Sequence, residues 1–146
     1  MFSHSKESLK LTLPWPPSVN HYKKVGRLVT TTSGKLYQQR VNTNETQAFY
    51  YETYIRTKQQ LAREGFKFVI GETIPLGVDV WLHPPNEKRY DIDNRLKVLL
   101  DGLVRAKIII DDSLINRLLV QKMGMIPNGQ VIVNIYPLQE GVEQCT

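Results

Sequence analysis

Aspartates are concentrated in one short part of this chain. Five of its six aspartates lie between Asp91 and Asp112, in the stretches "RYDIDNRLKVLLDGL" and "IIIDDSL". Carboxylates that share one site repel one another unless cations neutralise them. Hard oxygen ligands select Mg²⁺ or Mn²⁺, and a metal held in this way can activate water and clamp a scissile phosphate. The pattern therefore predicts metal-dependent chemistry on a phosphate.

The first two acids converge only if the chain changes conformation just after them. Asp91 and Asp93 would point about 200° apart on a helix, but they share one face of an extended segment. An apolar stripe follows them, so we expect an extended chain through Asp93 and a helix from Asn94 to Arg105. That helix spans about 18 Å, and an extended return over residues 106–112 covers up to roughly 23 Å. Asp111 or Asp112 can therefore come back near the first pair.

Each of these acids also has an interpretation without chemistry. Asp91 could be a loop residue, Asp93 only the N-cap of the helix, and Asp111-Asp112 a solvated turn. These readings explain the residues one by one. They leave unexplained why an acidic pair at a helix start faces a second acidic pair.

Lys97 lies one turn after Asp93 and can reach the same site. There it would contact a phosphate or stabilise the charge that develops on the phosphorane. The alternative is a surface lysine paired with Asp101 at i+4 spacing. Asn94 either orients a carboxylate or a water molecule, or shares in capping the helix.

Two further segments, "NHYKKVGR" and "KRY", combine basic and aromatic side chains. Phosphate contacts require cations, and unpaired bases stack on aromatic faces. The net charge of +5, from 19 Lys and Arg against 14 Asp and Glu, also favours a polyanionic partner. A solvated basic loop is the alternative. The candidate DNA-binding residues are Asn20, His21, Tyr22, Lys23, Lys24, Lys88 and Arg89.

The rest of the pattern predicts the elements that position these residues. "LKLTLPW" and "IPLGVDVWLHPP" read as strands, and residues 43–62 read as a helix that Gly65 ends. "RLVTTTSGKLY" suggests a short β stretch with a turn at Ser33-Gly34. Strands at 114–123 and 131–136 flank Asn128-Gly129, a strong hairpin signal. We predict a mixed α/β or α+β fold, with helices packed on a small, mostly antiparallel sheet.

Length and composition narrow the class further. A chain of 146 residues suits a single domain, residues 1–146. One cysteine, Cys145, excludes an internal disulfide framework and a Cys-based zinc site. The first ten residues contain no apolar signal region, and no apolar run approaches the roughly 18 residues that span a bilayer. We expect a cytoplasmic protein with no membrane association.

Taken together, three motifs resemble the RusA family of Holliday junction resolvases, found in bacteria, phages and prophages. "LPWPPSVNHYKK" is similar to the family's proline-rich segment, "RYDIDNRLKVLLDGL" to its helix-start motif, and "IIIDDSLI" to its paired-Asp motif. The resemblance covers about residues 11–136. It implies that Asp91, Asp93 and Asp112 are the catalytic, Mg²⁺-binding aspartates and that Lys97 is the catalytic lysine. Asp111 and Asn94 then have supporting roles.

The resemblance also implies a function. It is a Mg²⁺-dependent, structure-selective endodeoxyribonuclease that resolves four-way junctions by paired symmetric nicks in DNA recombination and repair, with Mn²⁺ as a substitute metal. The family is homodimeric and acts on branched DNA, which implies a nucleoid-associated protein encoded by a bacterium or a phage. Two alternatives stay open: a phage nuclease for a broader range of branched DNA, and a junction-binding protein without catalysis.

Two positions depart from the family pattern. Tyr90 stands where a second basic residue is expected, which weakens the predicted DNA contact there. Lys107 stands where the family often has glycine after the helix. A non-glycine residue in a left-handed C-cap costs roughly 1 kcal/mol, so we expect the helix to end in another way.

Overall fold

The computed structural model describes residues 8–64 and 74–138. These residues form, in chain order, β1 (Leu9–Leu13), β2 (Lys23–Thr30), β3 (Leu36–Asn42), α1 (Asn44–Glu64), β4 (Leu76–His83), α2 (Leu96–Arg105), β5 (Ile115–Lys122) and β6 (Gln130–Pro137). Short 3₁₀ turns lie at Val19–His21, Ile92–Arg95 and Asp112–Leu114. No helix in the two described ranges is long and apolar enough to cross a membrane. Gly65, the predicted end of the first helix, and Cys145 lie outside the described residues.

Four strands form one sheet in the order β1-β6-β4-β5. The β1–β6 and β4–β6 pairs are antiparallel, and β4–β5 is parallel. Because side chains alternate along a strand, β4 and β6 each bury every second residue on one face. Those residues join Val98, Leu99 and Leu103 of α2 in one apolar cluster. The predicted mixed, mostly antiparallel sheet packed with helices is confirmed.

The predicted hairpin between the last two strands is wrong. β4 lies between β5 and β6, so these two strands do not pair with each other. The turn itself forms: the Gly129 N–H donates to the Ile126 carbonyl at 2.8 Å, and Asn128 has a φ of 68°. Pro127 followed by a residue with positive φ is the pattern of a type II turn, which does not match the twist of a tight hairpin. The loop instead crosses the end of β4, where the Ile126 N–H donates to the Pro84 carbonyl at 3.0 Å.

The helix α2 ends in the left-handed C-cap that its sequence disfavours. Lys107 has a φ of 60°. Its N–H donates to the Val104 carbonyl at 3.0 Å, and the Ile108 N–H donates to the Leu103 carbonyl at 3.0 Å. This is the hydrogen-bond pattern of a Schellman motif. The expectation that the helix ends in another way is wrong, because burial of Ile108 and the two hydrogen bonds outweigh the strain at Lys107.

The two edge strands of the sheet, β1 and β5, differ in whether another element covers their backbone. At β1, the Gln60 side chain of α1 accepts from the Thr12 N–H at 2.8 Å and donates to the Thr12 carbonyl at 2.8 Å. This amide occupies backbone groups that an edge strand otherwise leaves open. At the other edge, β5 pairs only with β4, and Leu118 and Leu119 are 42% and 43% exposed. The β5 edge is therefore open and apolar within the described part of the chain.

Candidate active site

The first acidic motif lies on a 3₁₀ turn that leads directly into α2. Asp91 is extended, with φ −83° and ψ 143°, and the turn begins at the next residue. The predicted extended chain through Asp93 is therefore wrong. Asp93 is not an N-cap either, because Asp91 holds that position for the 3₁₀ turn and Arg95 holds it for α2, neither with a side-chain capping bond. Because the turn includes Asp93 but not Asp91, the two residues do not lie on one extended segment, and the alternation of side chains along such a segment no longer predicts their shared face.

Arg95 anchors this turn to the proline-rich loop. Its Nη1 donates to the Pro16 carbonyl at 2.8 Å, and its guanidinium carbon lies 5.2 Å from the centroid of the Trp15 ring. Trp15 in turn meets Tyr90 edge-on, with ring centroids 5.4 Å apart. Burial lowers the pKa of Arg95 from its usual value. The contacts of Arg95 and Tyr90 with the proline-rich loop thus favour the helical turn over the predicted extended chain.

A first surface concavity contains the Asp91 carboxylate. Its lining consists of Arg89, Tyr90, Asp91, Asn94 and Lys122. Lys122 Nζ donates to the Tyr90 carbonyl at 2.5 Å and lies 4.3 Å from the centroid of the Tyr90 ring. Although Tyr90 replaces an expected basic residue, Lys122 supplies a cation at the same place. Two basic side chains, Arg89 and Lys122, therefore line the same concavity as Asp91, together with the amide of Asn94.

A second concavity contains the paired-Asp motif. Lys97 Nζ donates to Asp101 Oδ1 at 3.2 Å inside it. This hydrogen bond and the charge of Asp101 raise the pKa of Lys97, and the charge of Asp112 adds to the effect. The chain thus returns after α2 and brings Asp112 to the concavity of Lys97. The lining residues are Lys97, Asp101, Val104, Arg105, Asp111 and Asp112.

Asp111 caps the turn that presents Asp112. Its Oδ1 accepts from the Ser113 N–H at 3.3 Å, at the N-cap of the 3₁₀ turn Asp112–Leu114. Hydrogen bonds from Ser113 hold the pKa of Asp111 below its usual value. Asp111 is therefore an N-cap, a role that the sequence suggested for Asp93 and not for Asp111. Its supporting role in the site stays a prediction.

The carboxylates do not form a closed metal cluster. Across residues 8–64 and 74–138, no three His, Cys, Asp or Glu side chains lie close enough together to hold a metal ion. The donor chemistry nevertheless fits a hard cation. Mg²⁺ is commonly bound through one or two carboxylates, with water and substrate phosphate as its other ligands. The ligand set Asp91, Asp93 and Asp112 stays a prediction.

The predicted DNA-binding residues lie at the surface around this region. Six of them are exposed and Tyr22 is half-buried. The turn Val19–His21 packs against both Ile92–Arg95 and α2. Lys23 Nζ lies 5.4 Å from the centroid of the Tyr22 ring. Their contact with DNA stays a prediction. The exposed six are Asn20, His21, Lys23, Lys24, Lys88 and Arg89.

Three residues of the site were not assigned to it from the sequence. Asp101 was considered only as a surface partner of Lys97, although its i+4 spacing places it on the same side of α2. Arg95 follows the DIDN motif directly, but its bond to Pro16 spans 79 positions. Lys122 had no sequence signal, because only the parallel pairing of β4 and β5 brings the end of β5 to this region.

Comparison with known proteins finds one family model and several relatives that match most of this chain. The family model described as "Endodeoxyribonuclease RusA" matches residues 14–136, which include every predicted site residue. The "Crossover junction endodeoxyribonuclease rusA" of Enterobacteria phage 82 is 30% identical over 127 residues, covering 86% of this chain and 91% of the relative. The protein of the same name from Escherichia coli O139:H28 is 30% identical over 130 residues, covering 88% and 93%. That from Shigella sonnei is 29% identical over 127 residues, covering 86% and 91%.

Proposed function

The chain belongs to the RusA family of endodeoxyribonucleases, and from that membership we propose that it cuts four-way DNA junctions in a reaction that depends on a divalent metal. The observation that carries the proposal is the approach of the second acidic motif to the lysine of the first. Lys97, Asp101 and Asp112 line one concavity, although Asp112 follows Lys97 by 15 positions. The approach depends on the left-handed reversal at Lys107, which returns the chain after α2.

Mg²⁺ is the proposed metal, with Mn²⁺ as its substitute, and Asp91, Asp93 and Asp112 are the residues that would hold it. Their oxygens are hard donors, and Asp91 and Asp93 are exposed. Such a metal supplies charge to a scissile phosphate and lowers the pKa of bound water. Because DNA phosphate oxygens complete the shell of such metals, the ligand set would assemble when DNA arrives.

Lys97 provides the cation that acts on the phosphate. Its side chain is 52% exposed, so a phosphate can reach it. Hydrogen bonding to Asp101 raises its pKa further above neutral pH, where a lysine is already charged. A fixed positive charge beside the reacting phosphate stabilises the additional negative charge of the transition state. Asp111 accepts a hydrogen bond from the Ser113 N–H and so stabilises the turn that contains Asp112.

Basic side chains around the acidic residues offset the repulsion between their carboxylates and the phosphates of DNA. Arg89 and Lys122 lie beside Asp91 in the first concavity, and Arg105 lies beside Asp101 in the second. Lysine and arginine that neutralise phosphates supply most of the sequence-independent affinity for DNA. With Asn20, His21, Tyr22, Lys23, Lys24 and Lys88, these residues would hold the strand near the aspartates.

A homodimer is the proposed active form. A four-way junction contains two equivalent strands to cut, and each chain has one acidic set, so a dimer with two-fold symmetry is the simplest assembly. The sequence offers two apolar surfaces for it, α2 and β5. Because α2 buries Val98, Leu99 and Leu103 in its own core, the open β5 edge is the better candidate. Antiparallel pairing of two β5 strands would satisfy their free backbone groups.

A cleavage assay on defined substrates tests this function. The purified protein is incubated with an end-labelled four-way junction and with a linear duplex of the same sequence, in Mg²⁺ or in EDTA. We expect paired nicks in the junction only when Mg²⁺ is present, and no cutting of the duplex. Equal cutting of both substrates would indicate a nuclease without selectivity for branched DNA. Junction binding without cutting in Mg²⁺ or Mn²⁺ would indicate a binding protein without catalysis.

A further inference from the structure

The hairpin of β2 and β3 forms a ribbon, Lys23 to Asn42, that extends outside the main sheet. Its two strands pair with each other in a sheet of their own. Nearly all of its side chains face solvent, including four large apolar ones. Val25, Leu28, Leu36 and Tyr37 are 61%, 65%, 63% and 47% exposed. Exposed apolar groups gathered on one projecting element mark a binding surface more often than scattered ones do.

The ribbon also carries charge of a single sign. Over residues 23–42 it contains five basic residues and no acidic residue. Its charge of +5 equals the net charge of the whole chain, so the remaining residues balance to zero. This concentration indicates a polyanionic partner far more specifically than the overall charge does. The five are Lys23, Lys24, Arg27, Lys35 and Arg40.

Arg40 and three of the exposed apolar side chains, Val25, Leu28 and Leu36, lie on one face of the ribbon, whereas Tyr37 lies on the other. The register pairs Val25 with Arg40 and Leu28 with Gln38. Directly paired residues of an antiparallel ladder point to the same side. Arg40 thus lies beside Val25, and both are exposed. A face of this kind can contact phosphates and the less polar edges of bases and sugars together.

Local hydrogen bonds hold the ribbon in this shape before it meets any partner. At its tip, the Thr31 N–H donates to the Lys35 carbonyl at 2.8 Å, and the Lys35 N–H donates to Thr31 Oγ1 at 3.0 Å. At its base, the Thr43 N–H donates to the Tyr22 carbonyl at 3.1 Å. A β-bulge between Val25 and Leu28 adds twist, and Gln38 Nε2 closes it by donating to the Gly26 carbonyl at 2.6 Å. A preformed element loses less entropy on binding.

We propose that this ribbon enters the major groove of one arm of the branched DNA. Arg27, Lys35 and Arg40 contact the phosphates at the groove walls, and the apolar side chains contact base and sugar edges. Two paired strands are about 4.8 Å apart, and the major groove, about 12 Å wide, admits a two-stranded ribbon. The inference rests on the proposed function, which supplies the DNA. It adds a contact on an arm, away from the acidic residues that act on the strand.

Charge selects DNA over the other possible occupants of this surface. Two copies of the ribbon would each bring five positive charges, so self-association through it would be repulsive. A partner protein would need a matching acidic groove. DNA presents a regular line of negative charge on both sides of a groove.

The test compares two variants with equal charge loss. The ribbon variant carries Arg27→Gln, Lys35→Gln and Arg40→Gln. The control variant carries Lys10→Gln, Lys58→Gln and Arg63→Gln, which are exposed positions on β1 and α1. Affinity for a four-way junction is measured in EDTA, so that no cutting occurs, over a range of salt concentrations. The ribbon variant should lose about tenfold or more in affinity at 0.1 M salt, and its log–log salt slope should fall by up to about 2.7, or roughly 0.9 per phosphate contact.

A second variant separates groove entry from phosphate contact alone. Leu28→Ser with Leu36→Ser removes apolar surface and leaves the charge unchanged. Entry into the groove predicts weaker binding with the same salt slope. If this variant binds like the wild type, the ribbon does not enter the groove, and that part of the proposal is overturned.

The remaining outcomes distinguish this inference from the proposed function. If the wild type neither binds nor cuts the junction, the proposed function is wrong. If it does both, and the ribbon variant matches the control variant in affinity and slope, only the ribbon inference is wrong. If the ribbon variant sediments differently from the wild type in the absence of DNA, the ribbon is a contact between protein chains. That outcome would also overturn the ribbon inference.

Discussion

Lys97 Nζ lies 3.2 Å from Asp101 Oδ1, one turn along α2 and in the concavity that also contains Asp112. An exposed i,i+4 ion pair of this kind stabilises a helix by only about 0.3–0.5 kcal/mol. Its contribution to stability is small, so we expect its importance to lie in placing the ammonium. An ammonium carries three N–H donors, so Lys97 can keep its bond to Asp101 and contact a phosphate at the same time.

The first prediction concerns Lys97. Lys97→Ala should lower the cleavage rate at saturating protein by about a hundredfold or more, because it removes a charge that acts on the transition state. Junction affinity should fall only severalfold. Single-turnover cleavage and binding in EDTA measure the two quantities separately. If rate and affinity fall by the same factor, Lys97 is a DNA-docking residue instead.

Asp101 should act by positioning Lys97, and its effect should be smaller. Asp101→Asn keeps the size of the side chain but removes the charge that holds the ammonium. We expect a reduced cleavage rate with unchanged affinity, and partial recovery in Asp101→Glu. In combination with Lys97→Ala, the Asp101→Asn change should have no further effect. Additive losses in the double variant would contradict the positioning role.

The third prediction concerns the metal. Asp91→Asn removes a ligand charge with little change in volume, so it should abolish cutting and leave junction binding equal or tighter. Because the described residues hold no three-carboxylate cluster, Mg²⁺ should bind the free protein weakly and bind the DNA complex more tightly. Titration calorimetry with and without a non-cleavable junction measures this difference. Asp79→Asn is the control, since Asp79 is bonded to Tyr136 on the sheet. Full nicking by Asp91→Asn would show that Asp91 is not a ligand.

The fourth prediction concerns the strained end of α2. Lys107→Gly should raise the free energy of unfolding by about 0.5–1 kcal/mol, because glycine adopts a φ of 60° without a steric cost. Lys107→Ala, which retains the Cβ atom, should leave stability nearly unchanged. Urea denaturation compares the two. Equal stability of both variants would mean that the left-handed cap is not strained.

The sequence predicts the fold better than the geometry of the site. Periodicity identified α2 and the buried strands because the same alternation that marks them also forms the core. It could not identify β4 as the strand between β5 and β6, since Asn128-Gly129 makes a turn whichever strand lies next to it. The conformation at Asp93 also depended on distant packing. Arg95 bonds to Pro16, and Trp15 packs on Tyr90, so contacts from the proline-rich loop decide a local choice.

The family resemblance predicted some residues of the two concavities and missed others. The resemblance predicted Asp112 and Lys97 as site residues, and both line one concavity. Their roles stay predictions. It did not predict Lys122, because that residue reaches Tyr90 only through the β4–β5 pairing. The motifs could therefore predict candidate residues from the sequence, whereas a residue that the sheet brings to the same region could not be predicted.

A fifth prediction concerns the protected sheet edge at β1. Gln60→Ala leaves the Thr12 N–H and carbonyl without their side-chain partner. Unsatisfied, partly buried backbone groups cost about 1–3 kcal/mol, so the variant should be less stable by an amount in this range. Gln59→Ala, at the exposed neighbouring position, is the control and should change little. Thermal and urea unfolding would contradict the role of Gln60 if both variants lost the same stability.

The last prediction concerns the dimer and the open edge of β5. Leu119→Glu should shift the protein toward monomer in sedimentation velocity, since it places a charge in the proposed interface. Leu36→Glu, at an exposed leucine of the ribbon, is the control and should leave the assembly unchanged. A mixed dimer of one wild-type and one Asp91→Asn subunit should nick one strand of the junction and fail to make the second cut, because each site acts on one strand. A wild-type protein that sediments as a monomer at its working concentration and still makes paired symmetric cuts would contradict the dimer.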